Sequence, residues 1–212
     1  MKKAFTMIEL IFVIVVIGIL AAVIMPRTGS NKLHEAATQV LSHIRYTQHL
    51  AMVDDKFDEN NATWWKERWS IRFYETGNPD NYYYTIFFDD NQQGNVDYGA
   101  GSIEVAIDPL SRKKLHNADN NKAMDLTGSY GINNINNTCL LDDNTLVSSN
   151  KGVIAFDQLG RPYNGIADST SPTQYLMTAN CNITLLSAEG NVTIRVHPET
   201  GYACILNGNV CQ

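Results

Sequence analysis

The chain begins with a long apolar segment that carries one carboxylate. From Phe5 to Pro26 the polar side chains are Thr6 and Glu9, and two lysines precede the segment. Residues 5–25 reach the length of about 20 residues that a membrane-crossing helix needs, and positive flanks stay on the cytoplasmic side. The pattern predicts a single-pass inner-membrane segment followed by a periplasmic domain. Because a carboxylate is costly in such a segment, Glu9 is a candidate functional residue.

Two interpretations of this segment are open from the pattern alone. A basic start, an apolar middle and small residues near Ala21 and Ala22 are typical of a cleaved signal peptide. Ordinary signal cores lack a carboxylate, however, and are shorter, at roughly 7–15 residues. A retained helix is the other interpretation, and Glu9 favours it.

A second helix is predicted after an interruption at Pro26 and Gly29. Proline lacks the amide donor and clashes with the preceding turn, so it bends or ends a helix. Ser30 or Asn31 can cap the helix that follows. Apolar residues then recur at helical spacing and predict a face that packs on a sheet. These residues are Leu33, Ala37, Val40, Leu41, Ile44 and Ala51. Residues 5–54 are predicted to form one long, bent helix.

The pattern changes after residue 55, where short β-branched and aromatic runs alternate with polar turns. The predicted strands are 68–74, 82–88, 102–107, 152–156, 181–187, 192–197 and 202–206. Short turns join the last three strands, which predicts an antiparallel meander. A helix followed by strands predicts an α+β roll, with the long N-terminal helix packed on an antiparallel β-sheet. The Asn- and Asp-rich stretch between 100 and 150 is predicted to be variable loop.

Charge and motifs exclude several functional classes. The formal net charge is −6 and the pI about 5.3, whereas nucleic acid and anionic lipid surfaces require a basic face. The sequence contains no phosphate loop, G-x-S-x-G or H-E-x-x-H motif, so an enzyme is not predicted.

The four cysteines are Cys139, Cys181, Cys204 and Cys211, an even number that is typical of two disulfides in an oxidising compartment. Three connectivities are possible. If Asn207-Gly208 is a two-residue hairpin turn, Cys204 lies opposite Cys211. That pairing is favoured and leaves Cys139 for Cys181. Four reduced, buried thiols are the alternative. No histidine lies at metal-ligand spacing beside any of them.

The stretch "KKAFTMIEL" resembles the signal shared by type IV prepilins and type II secretion pseudopilins. The resemblance implies cleavage between Ala4 and Phe5, N-methylation of Phe5, and retention of the apolar helix. Glu9 matches the family's glutamate, which meets the new N-terminal amine of a neighbouring subunit. Pro26 matches the family's helix-kinking proline. Ala4 departs from the glycine that the family usually carries there.

Three further stretches resemble the GspH/FimT-type minor pseudopilins. "GVIAFDQLGRPYNG" (152–165) is similar to their F-D-x-x-G-R-P turn. Residues 182–205 are similar to their closing strand–turn–strand, which ends in P-x-T-G, and "SHIRYTQHLAM" (42–52) is similar to their helix end. Some FimT-type pilins bind DNA through a basic C-terminal motif, but here Gly201 is followed by "YACILNGNVCQ", without Arg or Lys.

The resemblance implies a minor pilin or pseudopilin, a structural subunit near the tip of a type II secretion pseudopilus or type IV pilus. The implied organisation is a leader at 1–4, a transmembrane and filament-core helix at 5–26, an amphipathic half at 27–55 and a periplasmic domain at 56–212. The expected partners are other pilins through the N-terminal helix, the prepilin peptidase, the inner-membrane assembly platform and the membrane. Nucleic acid is not expected. An adhesive or ligand-binding minor pilin, for example one that acts in DNA uptake, is the alternative.

A candidate calcium loop lies in "DDNQQGNVDYGA". Asp89, Asn91, Gln93 and Asp97 occupy positions 1, 3, 5 and 9 of an EF-hand-like pattern. Position 12 should be Glu and is Ala100, so a solvated turn is the alternative. No other cofactor is predicted.

Two sequons and an aromatic cluster complete the candidate sites. Asn61 and Asn191 stand in N-x-Thr sequons with Glu two residues earlier, which makes them candidate glycosylation sites, with chance occurrence as the alternative. The aromatic cluster predicts packing on a half-buried sheet, with a subunit contact as the alternative. It consists of Trp64, Trp65, Trp69, Tyr82, Tyr83 and Tyr84.

Overall fold

A computed structural model describes residues 6–24, 31–77, 80–99, 101–119, 121–139, 150–165 and 169–212. The chain divides into two compact units, Met1–Asn31 and Lys32–Gln212. The first unit contains helix α1, Met7–Ile24. The second contains helices α2, Lys32–Val53, and α3, Leu126–Tyr130, together with short 3₁₀ turns and all the strands described.

Two antiparallel sheets make up most of the second unit. The strands are β1 (Ser70–Thr76), β2 (Asn81–Phe87), β3 (Ile132–Asn137), β4 (Asn150–Phe156), β5 (Pro162–Tyr163), β6 (Cys181–Ser187), β7 (Gly190–Val196), β8 (Ala203–Asn207) and β9 (Val210–Cys211). One sheet has the order β2-β1-β4-β5 and the other β3-β6-β7-β8-β9. The predicted antiparallel meander of the last strands is therefore confirmed as β6-β7-β8.

Helix α2 packs against strands of both sheets, including β1 and β4 of one and β7 and β8 of the other. All six residues of the predicted apolar stripe are buried, from Leu33 to Ala51. Ala36 and Ala37 have no exposed surface, and their small side chains allow the helix to approach the strands closely. The stripe predicted from helical spacing is therefore confirmed.

The four-stranded sheet contributes alternate side chains to the same core. Ile71 of β1 lies opposite Ile86 of β2, Phe73 lies opposite Tyr84, and all four are buried. The other face carries Tyr74, whose ring stacks on that of Tyr83 at 4.8 Å. The two-residue alternation of strand side chains thus separates the main core from a smaller aromatic layer.

The predicted fold, one long N-terminal helix packed on an antiparallel sheet, is wrong in two respects. The helical residues form two separate helices, α1 and α2, whose described ends are Ile24 and Lys32. The strands form two sheets instead of one. Pattern along the chain identifies strands but does not determine how they divide between sheets, because that division depends on pairing between distant residues.

The predicted inner-membrane localisation is also corrected. Among the described residues, no helix combines the length and apolar character that crossing a membrane requires. Helix α1 has 18 residues and includes Glu9.

The stretch between residues 100 and 150 contains structure where variable loop was predicted. It includes α3, which Asp125 caps by accepting a hydrogen bond from the Gly128 amide at 2.8 Å, and strand β3, which pairs with β6. In β3 the buried side chains are Ile132 and Ile135, three residues apart, because the register shifts within the strand. The predicted strand 102–107, by contrast, contributes only isolated bridges at Val105 and Ile107 among its described residues.

Both favoured disulfides are present, Cys139–Cys181 and Cys204–Cys211. The first connects the segment after β3 to the start of β6. The hairpin that brings the second pair together differs from the prediction by one residue, because Asn207 pairs with Val210 and Leu206 with Cys211. Cys204 is therefore a diagonal neighbour of Cys211, with a Cα–Cα distance of 5.4 Å.

Candidate functional site

Three stretches that are distant in the sequence meet near the end of α2: 42–52, 152–165 and 182–205. Gln48 donates from Nε2 to the carbonyl oxygen of Gly160 at 2.9 Å and to that of Thr200 at 2.8 Å. Arg45, one turn earlier, donates from Nη2 to the carbonyl oxygen of Ala203 at 2.8 Å. One face of the helix thus holds both the β4–β5 turn and the β7–β8 turn. We call this meeting point the junction.

The β4–β5 turn is organised from inside by Asp157. This buried carboxylate accepts hydrogen bonds from the backbone amides of Leu159 at 3.0 Å and Arg161 at 2.9 Å. It also accepts from Arg161 Nε at 2.7 Å and from the Tyr163 hydroxyl at 3.1 Å. The hydrogen bond to Asp157 raises the pKa of Arg161.

Two glycines allow the turns to approach each other. Gly201 has a φ of +63°, and a Cβ at that position would lie 2.3 Å from the Gly160 carbonyl oxygen. Gly160 itself has a φ of +78° and lies against Gln48 and Met52. Only glycine fits at position 201, because both the backbone conformation and the neighbouring atoms exclude a Cβ.

Apolar side chains are exposed around the junction. Leu159 lies in the β4–β5 turn and is 67% exposed, and Tyr202 follows Gly201 and is 51% exposed. Met52, whose sulfur lies 3.3 Å from the Cβ position of Gly160, is also half exposed. The junction therefore presents exposed apolar groups on a backbone that internal hydrogen bonds organise.

Helix α1 carries the candidate assembly residue Glu9 in its first turn. The Glu9 amide lies 3.4 Å from Thr6 Oγ1, and the Glu9 side chain is exposed. The large apolar side chains from Met7 to Leu20 are exposed as well. The predicted cleavage and methylation residues, Ala4 and Phe5, and the predicted kink residue Pro26 lie outside the described residues.

The candidate calcium loop is organised by its own hydrogen bonds. Asp89 is buried and accepts from the amides of Gly94 at 2.7 Å and Gln93 at 3.1 Å. Asn91 donates from Nδ2 to Asp97 Oδ2 at 2.8 Å and its Oδ1 accepts from the Gln93 amide at 3.1 Å, so both ends of this side chain are engaged within the loop. Burial raises the pKa of Asp89, which opposes a charged carboxylate there.

The loop also uses a carboxylate that sequence reasoning missed. Glu104 Oε2 accepts from the Asp97 amide at 2.7 Å, although it stands well beyond position 12 of the pattern. Among the described residues, the carboxylates of this loop do not form a group whose ligand atoms lie close enough together to hold a metal ion. The geometry is that of a closed turn.

The two sequon asparagines lie in different environments. Asn61 is partly buried, donates from Nδ2 to Glu67 at 2.7 Å and accepts from the hydroxyl of Thr63 at 3.1 Å. Asn191 is exposed in β7, opposite Leu186. Solvent access therefore favours glycosylation at Asn191 over Asn61, although Asn191 lies within a strand.

The aromatic cluster is mainly packing. Tyr82 and Tyr84 are buried, and the Trp69 ring packs against Phe88 at 4.9 Å. Trp64 and Trp65 are half-buried, with their ring centroids 6.2 Å apart. The predicted packing role is confirmed for the buried members.

A buried histidine of α2, His43, contacts the core. His43 Nδ1 lies 2.7 Å from the Tyr84 hydroxyl, and His43 Nε2 lies 3.2 Å from Gln39 Nε2. Burial lowers the pKa of His43 to about 4, and the nearby Asp108 opposes this shift only in part. The imidazole is therefore neutral at neutral pH.

We expect His43 to make stability depend on pH. Between pH 6.5 and about 4 the unfolded chain binds a proton at this residue and the folded chain does not, so stability falls as the pH falls. A shift of this size corresponds to a loss of about 3 kcal/mol across that interval. Urea unfolding at several pH values should show a shallower dependence for His43→Gln than for the native chain.

The matched control for this prediction is His49→Gln, which changes an exposed histidine on the same helix. Its stability curve is the reference against which that of His43→Gln is compared. Parallel stability curves for the native chain and His43→Gln between pH 4 and 7 would contradict the assignment.

Comparison with known proteins returned no matching family model, no matching curated protein and no matching solved structure.

Proposed function

We propose that the chain is a minor subunit of a pilin-type filament, a type II secretion pseudopilus or a type IV pilus, and that it assembles through α1. One observation carries the proposal. The large apolar side chains from Met7 to Leu20 are between 39 and 80% exposed. An apolar surface of this extent on a water-exposed chain marks a site that another surface covers.

The apolar side chains lie on every side of α1, so a single groove cannot cover them. A helix that is apolar all round is suited to the interior of a bundle, where several neighbours surround it. We infer that the neighbours are the corresponding helices of other subunits. In such a bundle Glu9 needs a cationic partner, because an unpaired carboxylate among apolar helices is strongly destabilising.

The motif "KKAFTMIEL" supplies that partner in the proposal. Cleavage after Ala4 would create a new amine at Phe5, four residues before Glu9, and the amine of one subunit would meet the Glu9 carboxylate of another. The prepilin peptidase and the filament assembly platform are the further partners. The exposed apolar groups at the junction offer the second unit a separate contact with a neighbouring subunit.

The state of the N-terminus tests this proposal. Protein purified from its native host and analysed by N-terminal sequencing and mass spectrometry should begin at N-methylated Phe5. The same chain expressed in a host without a prepilin peptidase should begin at Met1. A native N-terminus beyond Ala21 would instead identify a discarded signal peptide and contradict the proposal.

A further inference from the structure

One histidine lies against a disulfide, although their positions in the sequence do not suggest it. His197 Nε2 is 3.4 Å from Cys211 Sγ. The ligand atoms of His197, Cys204 and Cys211 all lie within 4.8 Å of one another. Among the described residues, this is the one group of three or more His, Cys, Asp or Glu side chains brought so close.

The backbone holds the three positions independently of the sulfur–sulfur bond. The His197 amide donates to the Tyr202 carbonyl oxygen at 2.8 Å, and the His197 carbonyl oxygen accepts from the Gly201 amide at 3.2 Å. The β8–β9 hairpin is closed by its own pairing, with the Gln212 amide donating to the Ile205 carbonyl oxygen at 2.9 Å. Reduction of the disulfide would therefore leave the thiols beside the imidazole.

The distance between His197 Nε2 and Cys211 Sγ suits a tetrahedral zinc ion, and the two sulfurs would move apart once their bond is reduced. Zinc binds thiolate sulfur at about 2.3 Å and imidazole nitrogen at about 2.0 Å, which places two such ligand atoms about 3.5 Å apart. His197 and Cys211 already have this separation. Cys204 is fully buried, whereas His197 and Cys211 are partly exposed. The group of three side chains is therefore shielded from solvent on the Cys204 side and accessible on the other.

We propose that His197, Cys204 and Cys211 form a redox-gated zinc site. In the oxidised chain the two sulfurs are bonded to each other. A dithiol reductant passes two electrons to this bond and becomes a disulfide itself, leaving two cysteine thiols. Zn²⁺ then binds both sulfurs and His197 Nε2, the two thiol protons go to solvent, and water completes the coordination on the exposed side.

The bound ion would replace the covalent link between the same two strands. The hairpin would then stay closed in both redox states, by the disulfide when oxidised and by the metal when reduced. This inference does not depend on filament assembly, because all three ligands lie in the second unit.

Cobalt titration tests the site directly. The full-length chain, kept in solution with a mild detergent, is reduced, desalted without oxygen and titrated with Co²⁺. One Co²⁺ per reduced chain, with the intense visible absorption of tetrahedral cobalt and a thiolate charge-transfer band, is the expected result. Zn²⁺ should displace it and raise the melting temperature of the reduced chain. The oxidised chain should show none of these changes.

Variants separate this site from the other cysteine pair. His197→Ala should weaken Co²⁺ binding at least tenfold and alter the spectrum, and Cys204→Ala/Cys211→Ala should abolish the tetrahedral spectrum. His49→Ala, which changes an exposed histidine of α2, should bind like the native chain. A reduced chain without the tetrahedral spectrum, or His197→Ala with unchanged affinity, would overturn the proposal.

Discussion

Replacing Gly201 with alanine is expected to lower the free energy of unfolding by about 3 kcal/mol or more. A left-handed conformation with φ +63° costs a residue with a Cβ roughly 1–2 kcal/mol. The new methyl group would also lie 2.3 Å from a backbone atom, the Gly160 carbonyl oxygen, and 2.5 Å from Gln48 Nε2. Because backbone cannot rotate away, the β4–β5 turn must move, and Gln48 must give up its hydrogen bonds to both turns.

Gly208→Ala is the matched control. Gly208 has the same φ of +63°, but no atom lies within 4 Å of its Cβ position. This substitution should therefore cost only the conformational part, roughly 1–2 kcal/mol. Chemical denaturation of both variants separates strain at one residue from collision at the junction. Equal losses of unfolding free energy for the two variants would contradict the close approach of the Gly160 carbonyl oxygen to position 201.

Local regularity explains which parts of the fold could be predicted from sequence. The α2 stripe follows helical spacing, and strands such as β6 and β7 consist of β-branched and apolar runs between recognisable turns. Strand β3 has the sequence INNINN, in which the buried isoleucines are three apart because the register shifts. A two-residue alternation cannot detect such a strand.

Contacts between distant residues explain what could not be predicted. The division into two sheets depends on pairings such as that of β1 with β4, which are far apart in the chain. The Cys204–Cys211 pair was identified through a hairpin whose turn lies one residue later than predicted, and a diagonal neighbour still satisfied the disulfide. His197 approaches Cys211 only because β7, β8 and β9 are adjacent.

The candidate site also depends on contacts between residues that are distant in the chain. The three stretches around Gln48, Gly160 and Gly201 were each visible in the sequence, but their meeting at one junction was not. Glu104 and the His43–Tyr84 contact were missed because neither forms part of a local motif. Ala4, Phe5 and Pro26 lie outside the described residues, so their assigned roles stay predictions.

Glu9→Ala should reduce incorporation of the chain into filaments at least tenfold. In the proposed assembly the Glu9 carboxylate pairs with the amine of a neighbouring subunit among apolar side chains. Removing one partner of such a pair leaves the other buried and uncompensated, which costs about 3–5 kcal/mol. Since 1.4 kcal/mol corresponds to a factor of ten, the effect on assembly should be large. Glu9→Gln should behave similarly, because its amide is neutral.

A matched control distinguishes assembly from folding. Glu59→Ala removes an exposed carboxylate from the second unit and should assemble normally. All variants should have the same unfolding midpoint in vitro, because Glu9 is exposed in the isolated chain.

The most direct test is the amount of each variant that sediments with filaments sheared from the native host, relative to its total amount in the cell. The proposed function predicts that the native chain and Glu59→Ala sediment equally and that Glu9→Ala remains almost entirely with the cells. Equal sedimentation of Glu9→Ala, or absence of the native chain from the filaments, would contradict assembly through α1.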